Sequence, residues 1–285
     1  MIKKIWLHDK LVDPKDATVS VFDHGLLYGD GVFEGIRVYN GKIFQHDEHL
    51  KRLYDSAKAI RLDIGMPFDE LKKNVELTVE TNEVVDGYIR LIITRGVGDL
   101  GLNPFVCEKP GIIIIADNVA LYPAEMYETG LKVISSSVIR NNPQALPAQI
   151  KSLNYLNNIL AVIEAKDANA GEAIMFNQQG YVAEASGDNL FIFKKGKIYT
   201  PPISAGSLDG ITRAVVIELA KQNGFEVIEQ NLTRVDLYTS DEVFLTGTAA
   251  EVIGIVEIDG RIIGDGKPGT VTRTLKEKFF EYARS

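Results

Sequence analysis

The stretch Ile150-Lys151-Ser152-Leu153-Asn154-Tyr155-Leu156-Asn157-Asn158 decides how the rest of this chain is read. A lysine by itself means little, because most lysines are solvated surface charges. Downstream of this one stand Glu184 in YVAEASGDN at 181–189, the turn LDGITR at 208–213 and the turn TGTAAEV at 246–252. A lysine amine forms a Schiff base with an aldehyde once desolvation or a neighbouring cation makes it less basic. A carboxylate holds a proton on a pyridine nitrogen, so that the ring withdraws electrons. Glycine-rich turns that open helices offer unpaired backbone N–H groups to a dianionic phosphate. Aldehyde, pyridine and phosphate together describe pyridoxal 5′-phosphate, the cofactor these residues imply.

The bulk properties narrow the alternatives. With 285 residues, 45% hydrophobic and 25% charged, the chain has room for two modest domains with real cores. A net charge of −8 speaks against a phosphate-backbone binder, which needs a basic surface to release counterions. The longest apolar run, Ile112–Ala116, is strand-length, and no apolar run follows the two lysines of MIKKIWLHDK, so a cytoplasmic protein that neither spans a membrane nor binds nucleic acid is expected. One cysteine, Cys107, excludes an intrachain disulfide and a CxxC pair. All four histidines lie within the first 49 residues, which leaves the Ser-rich segments without a nearby base and makes a transition-metal site or a Ser–His–acid hydrolase a poor reading.

Periodicity places these motifs on elements. A hairpin is expected around His8-Asp9-Lys10, then strands at Val19–Phe22 and Val32–Val38, a type I′ turn at Asn40-Gly41, helices at 47–60 and 67–82, and strands at Tyr88–Thr94 and Gly111–Ala116. This is a small α+β domain over 1–117. Residues 118–128 show no period, contain Pro123 and read as a linker to a larger domain at 129–285. There the pattern predicts a strand at Lys132–Ile139, a helix at Lys151–Asn169, strands at 172–177, 181–184 and 190–193, a helix at Thr212–Asn223, strands at 242–246 and 251–258, a second type I′ turn at Asp259-Gly260 and a last helix at Thr270–Ala283. No strict βαβ rhythm runs through the chain, so a doubly wound sheet is not expected. GDGVFEG at 29–35 has one residue too many for GxGxxG. GDGKPG at 264–269 puts Pro268 where a P-loop needs Ser or Thr.

VSVFDHGLLYGDGVFEGIRVYNG at 19–41, EHLKRLYDSAK at 48–58 and YIRLIITRGVGDLGLNP at 88–104, in this order with the segments already quoted, resemble the fold-type IV pyridoxal-phosphate enzymes. Among them the branched-chain amino-acid aminotransferases are most similar. The resemblance runs nearly end to end. It implies the two-domain α+β architecture of the D-amino-acid aminotransferase type, with its site between the domains. The implied activity is transfer of the amino group of leucine, isoleucine or valine to 2-oxoglutarate by a ping-pong cycle through the pyridoxamine form. It also implies at least a homodimer, with hexamers known, in which loop residues around Leu100–Asn103 reach the partner's site.

Residue roles follow from the same resemblance. Lys151 is implied as the Schiff-base residue and proton carrier, Glu184 as the pyridine-nitrogen partner, and Tyr155, read as one helical turn after Lys151, as a neighbour of the ring 3′-oxygen. Arg52, Ile211, Thr212 and Thr248 are the implied phosphate ligands. Tyr28, Phe33, Gly35, Arg37, Tyr88, Arg90, Thr248 and Ala249 are the implied substrate residues, with Tyr88 and the Thr248–Ala249 amides near the α-carboxylate and Arg90 serving a second carboxylate. Alternation at 33, 35 and 37, and at 88 and 90, puts each set on one face of a strand. Departures are Ala185, where many relatives have glycine, Leu91, where many have proline, and a linker without the usual tryptophan. Two rivals share the fold: a D-amino-acid transaminase, separated by pocket layout alone, and an aminodeoxychorismate lyase, which shares the Lys and Glu segments and the Thr94-Arg95-Gly96 string.

Overall fold

Residues 31–39 alternate between two kinds of neighbour, the period-two signature of a strand with two different faces. In the computed structural model they are the inner part of a sheet. The structure describes residues 2–118 and 124–285. The chain divides into two compact units, Met1–Ala120 with Ile150–Asn154, and Leu121–Gln149 with Tyr155–Ser285.

Among the described residues of the first unit, strands β1 (Ile5–Leu7), β2 (Lys10–Val12), β3 (Gly31–Tyr39), β4 (Lys42–Ile43), β5 (Gly87–Thr94) and β6 (Gly111–Asp117) form one sheet in the order β2-β1-β6-β5-β3-β4. Every pairing in it is antiparallel. Helices α1 (His24–Tyr28), α2 (His46–Ala59) and α3 (Phe68–Thr81) accompany it. Val32, Ile36, Val38, Ile89, Leu91 and Ile93 point to one face and pack with Leu50, Leu53, Leu71 and Val75 of α2 and α3. Leu91, the departure from proline, is thereby a fully buried core residue. The opposite parity carries Phe33, Gly35, Arg37, Tyr88 and Arg90, with Gly35 opposite Arg90 and Arg37 opposite Tyr88. Asn40 and Gly41 have φ of 50° and 76°, as the expected I′ turn requires. Val19–Phe22, by contrast, is not a strand. Its apolar side chains Val19, Val21 and Phe22 are exposed, and the segment joins no ladder, so its β-forming composition has nothing to pair with.

The second unit contains β7 (Leu131–Ile139), β8 (Glu172–Phe176), β9 (Val182–Ala185), β10 (Asn189–Lys194), β11 (Lys197–Thr200), β12 (Val227–Glu229), β13 (Glu242–Gly247), β14 (Glu251–Ile258) and β15 (Arg261–Ile262). The described strands run β12-β11-β10-β13-β14-β7-β8-β9, with β15 on β14. The sheet is mixed, parallel at β11/β12, β14/β7 and β7/β8. Helices α4 (Ala124–Thr129), α5 (Leu156–Asp167), α6 (Ile211–Gln222), α7 (Arg234–Tyr238) and α8 (Thr270–Arg284) complete the unit. Of the stretch 118–128 read as linker, 119–123 lie outside the described residues. The rest is mostly α4, whose six residues are too few to show a period.

The helix expected from Lys151 begins only at Leu156, and Tyr155 is its N-cap residue. Tyr155 therefore does not stand one helical turn beyond Lys151. Residues 151–153 lie along β3 instead: Phe33 N–H donates to Lys151 O and Leu153 N–H to Gly31 O, both at 3.0 Å. Ser152 bridges Val32. Tertiary pairing overrides the helical composition of the segment.

Candidate active site

Lys151 is fixed by its backbone before its side chain is considered. Its carbonyl accepts from β3, and its N–H donates to the buried Ser56 Oγ of α2 at 3.2 Å. The side chain then places Nζ 4.7 Å from the centroid of the Phe33 ring. Arg90 Cζ lies 4.7 Å from the same ring and 5.4 Å from that of Tyr88. An aromatic face attracts a cation through its quadrupole, so the Phe33 ring is a contact that Lys151 and Arg90 share. Gly35 gives the Tyr88 ring its place, because a β-carbon there would overlap the Tyr88 hydroxyl and displace it. Arg37 lies next along the strand, its Cζ 5.1 Å from the Tyr39 ring. Tyr28 donates to the Leu100 carbonyl at 2.6 Å and so ties α1 to the 99–103 loop.

Arg52 is engaged from within the same unit. Its Nε and Nη2 donate to Oε1 and Oε2 of Glu34 at 2.7 and 2.8 Å, a bidentate pair. Glu34 is fully buried and also accepts from His49 Nδ1 at 2.7 Å. Burial by itself would push the Glu34 carboxyl up; the Arg52 charge and the hydrogen bonds from His49 and Arg52 outweigh it and hold the group at about 2. Burial pushes His49 down, so its ring is neutral and Nδ1 is the donor. Any anion contact made by Arg52 must therefore use the guanidinium edge turned away from Glu34.

The second unit places Ile211 and Thr212 at the start of α6 and Glu184 against the segment just before it, while Tyr155 stands at the start of α5. Gly210 is the N-cap, and no side chain caps the helix. A β-carbon on Gly210 would overlap the Asn189 side-chain oxygen, while Asn189 Nδ2 donates to the Leu208 carbonyl at 2.9 Å. Leu208 N–H donates to Glu184 Oε2 at 2.9 Å, and Arg140 Nε donates to Oε1 at 2.9 Å. Glu184 and Arg140 are both buried. Thr246 pairs across the ladder with Asn189. The hydroxyls of Ser207, Thr212 and Thr246 are buried without a hydrogen-bond partner. Each such group costs about 1–3 kcal/mol. Three of them about one uncapped helix N-terminus suit a phosphate, which accepts their hydrogens and is favoured by the helix dipole. Ile211 and Thr212 open that helix, and Thr248 and Ala249 form the turn after β13, half-buried. Donor set, buried carboxylate and helix terminus thus fit the phosphate and nitrogen of pyridoxal 5′-phosphate.

A family model described as amino-transferase class IV matches residues 31–258. The chain belongs to the class IV aminotransferase family. It is 52% identical over 276 residues to a protein of Methanocaldococcus jannaschii provisionally named a branched-chain-amino-acid aminotransferase, covering 97% of this chain and 95% of that one. It superimposes with a TM-score of 0.97 on the crystal structure of the Escherichia coli branched-chain amino acid aminotransferase, at 38% identity and 99% and 95% coverage. The T.th. branched-chain amino acid aminotransferase complexed with N-(5′-phosphopyridoxyl)-L-glutamate gives a TM-score of 0.94, at 39% identity and 100% and 95% coverage. The class IV family supplies the cofactor and the reaction type.

Sequence reasoning missed Glu34, His49, Arg140, Asn157, Asn158, Ser207 and Thr246. Only Glu34 left a signal: it shares the parity of Val32 and Ile36 on β3, so an acid was being sent into the core. Arg140 left none, because its partner Glu184 lies far along the chain. Among the described residues no group of three or more His, Cys, Asp or Glu side chains is placed to hold a metal, and no helix is long and apolar enough to cross a membrane.

Proposed function

We propose that this class IV aminotransferase moves the amino group of L-leucine, L-isoleucine or L-valine to 2-oxoglutarate, giving the branched-chain 2-oxo acid and glutamate in a ping-pong cycle. The observation that carries the reading is the Phe33 ring with the Lys151 amine and the Arg90 guanidinium both against it. It gives the Schiff-base amine and a cation able to take a second carboxylate one aromatic neighbour in common, and Phe33 and Tyr88 offer an apolar side chain ring surface to pack on.

Pyridoxal 5′-phosphate, when bound, supplies the aldehyde that accepts the amino group and the ring that draws electrons from the substrate Cα. Lys151 would hold that aldehyde through Nζ, and its amine is the group that would carry the proton removed from Cα. Glu184 holds the proton on the ring nitrogen. Ile211 and Thr212, through their N–H groups, would hold the phosphate with Arg52 and Thr248, and Tyr155 would serve the ring 3′-oxygen. Tyr88, with the Thr248 and Ala249 amides, orients the substrate α-carboxylate. Tyr28, Phe33, Gly35 and Arg37 shape the pocket wall, and Arg90 receives the distal carboxylate of glutamate. The working form is at least a homodimer in the cytoplasm. Its support is the exposed apolar set Phe22, Leu26, Val97, Leu100 and Leu102, on helix α1 with the segment just before it and on the loop after β5, stitched together by Gly98 N–H to Phe22 O and by the Asp23–Val97 bridge.

The test is amino-donor profiling with 2-oxoglutarate, using both enantiomers of each donor. L-Leucine, L-isoleucine and L-valine are expected to be the best donors. Preference for D-amino acids, or release of pyruvate from aminodeoxychorismate without transamination, overturns the reading.

A further inference from the structure

Arg140, directly after β7, has no role in the reaction as set out above, yet its placement is elaborate. It is 5% exposed. Besides the contact to Glu184, its Nη1 donates to Asn157 Oδ1 at 2.9 Å and, at longer range, to Asn158 Oδ1 at 3.5 Å. Both asparagines are themselves held. Asn157 Nδ2 donates to the Ile139 carbonyl at 2.8 Å, and its Oδ1 also accepts from Asn141 N–H at 3.2 Å. Asn158 Nδ2 donates to the Ser186 carbonyl at 2.7 Å. The first turn of α5 thus exists, in part, to hold one guanidinium against one carboxylate.

We propose that Arg140 is a positioning residue for the transamination, keeping the shared proton on the ring nitrogen of the cofactor and off the Glu184 carboxyl. The inference rests on the reading of Glu184 as the nitrogen's partner. A carboxyl and a pyridine nitrogen share one proton, which can rest as carboxylate with pyridinium or as carboxylic acid with neutral pyridine. Burial favours the second arrangement, because it carries no charge. A cation in direct contact with the carboxylate reverses that preference. It lies nearer the negative member of the pair than the positive one, so by Coulomb's law its attraction exceeds its repulsion. The Leu208 N–H on Oε2 acts in the same direction. Asn157 and Asn158 supply neutral acceptors, which satisfy the guanidinium without cancelling its charge, as a second carboxylate would.

The experiment is nitrogen-15 magnetic resonance of the holoenzyme reconstituted with pyridoxal 5′-phosphate labelled at the ring nitrogen, in the wild type and in Glu184→Gln, Arg140→Gln, Arg140→Lys and Asn157→Ala. A protonated-nitrogen signal is expected in the wild type and in Arg140→Lys, and its loss in Glu184→Gln and Arg140→Gln. Asn157→Ala, which frees the guanidinium without discharging it, should give a signal displaced part of the way. If Glu184→Gln loses the protonated signal while Arg140→Gln keeps it, Arg140 is structural and the proposal fails alone. Retention of the signal in Glu184→Gln overturns the underlying assignment as well. Should Arg140→Gln not retain cofactor, an unshifted Asn157→Ala signal is enough to overturn the proposal.

Discussion

Replacing Glu34 by glutamine would leave the Arg52 guanidinium facing a neutral amide and weaken the bond from the buried His49 ring, whose Nε2 already has no partner. Breaking a buried pair by neutralising one member costs about 3–5 kcal/mol, and chemical denaturation of Glu34→Gln against wild type should show a loss in that range. The pH dependence has a definite sign. The folded-state value, about 2, lies below the ordinary 4.5, so the pair's contribution is complete above 4.5 and is lost as pH falls toward 2. The gap between wild type and Glu34→Gln should therefore narrow in acid; a gap that stays constant below 4.5 would show that Glu34 acts through packing. Arg90 makes a different demand. Glutamate brings a second carboxylate into a space that leucine fills with apolar carbon, and removing one member of a desolvated charge pair costs about 2–5 kcal/mol. Arg90→Ala should cripple the glutamate and 2-oxoglutarate half-reaction by roughly thirtyfold or more, at about 1.4 kcal/mol per decade, with a much smaller effect on the leucine half-reaction. Stopped-flow measurement of each half-reaction decides it, and equal losses would assign Arg90 to the shared α-carboxylate or to the scaffold.

Helix α6 meets its proposed anion through Gly210, so an added β-carbon there should act on phosphate recognition alone. Gly210→Ala displaces the Asn189 amide that holds Leu208. Affinity for pyridoxal 5′-phosphate should fall by about tenfold or more, equivalent to about 1.4 kcal/mol, while that for unphosphorylated pyridoxal stays near wild type. Equal losses for both ligands would mean that the turn supports the fold and not the phosphate. Elements whose chemistry is local could be read from the sequence: α2, α3, α6 and α8 through apolar residues at helical spacing, and the I′ turns at Asn40-Gly41 and Asp259-Gly260 through their residue types, with Asp259 and Gly260 at φ of 50° and 74°. The start of α5 could not, because Lys151–Asn154 reads as helix until β3 claims its backbone. Helix α5 also hides its orientation: it buries Asn158, Ala161 and Ala165 and exposes Leu156, Ile159, Leu160 and Ile163, the reverse of what an amphipathic reading predicts. The motif residues of the candidate site were legible as chemistry. Their supports, Glu34 with His49 and Arg140 with Asn157, were not, since each depends on a partner that only the folded chain supplies.

At the scale of the molecule, the exposed apolar surface of the first unit predicts association. Leu102 is 80% exposed, more than an isolated soluble chain gains by displaying it beside Leu26, Val97 and Leu100. Leu102→Glu should lower the mass seen by sedimentation and reduce activity at low protein concentration, with recovery as concentration rises; an unchanged mass would remove this surface from the interface. Positions 32 and 152 pair only when the chain has been made beyond residue 152. At about 5–20 residues per second, a ribosome that has released β3 needs on the order of ten seconds more to deliver its edge partner. Through that interval the nascent first unit carries an open strand edge, the kind of surface that recruits chaperones or aggregates. A product terminated before residue 151 would lack the lysine, the segment that covers this edge, and Glu184 and helix α6 alike, so it would keep the open edge and none of the second unit's proposed cofactor ligands.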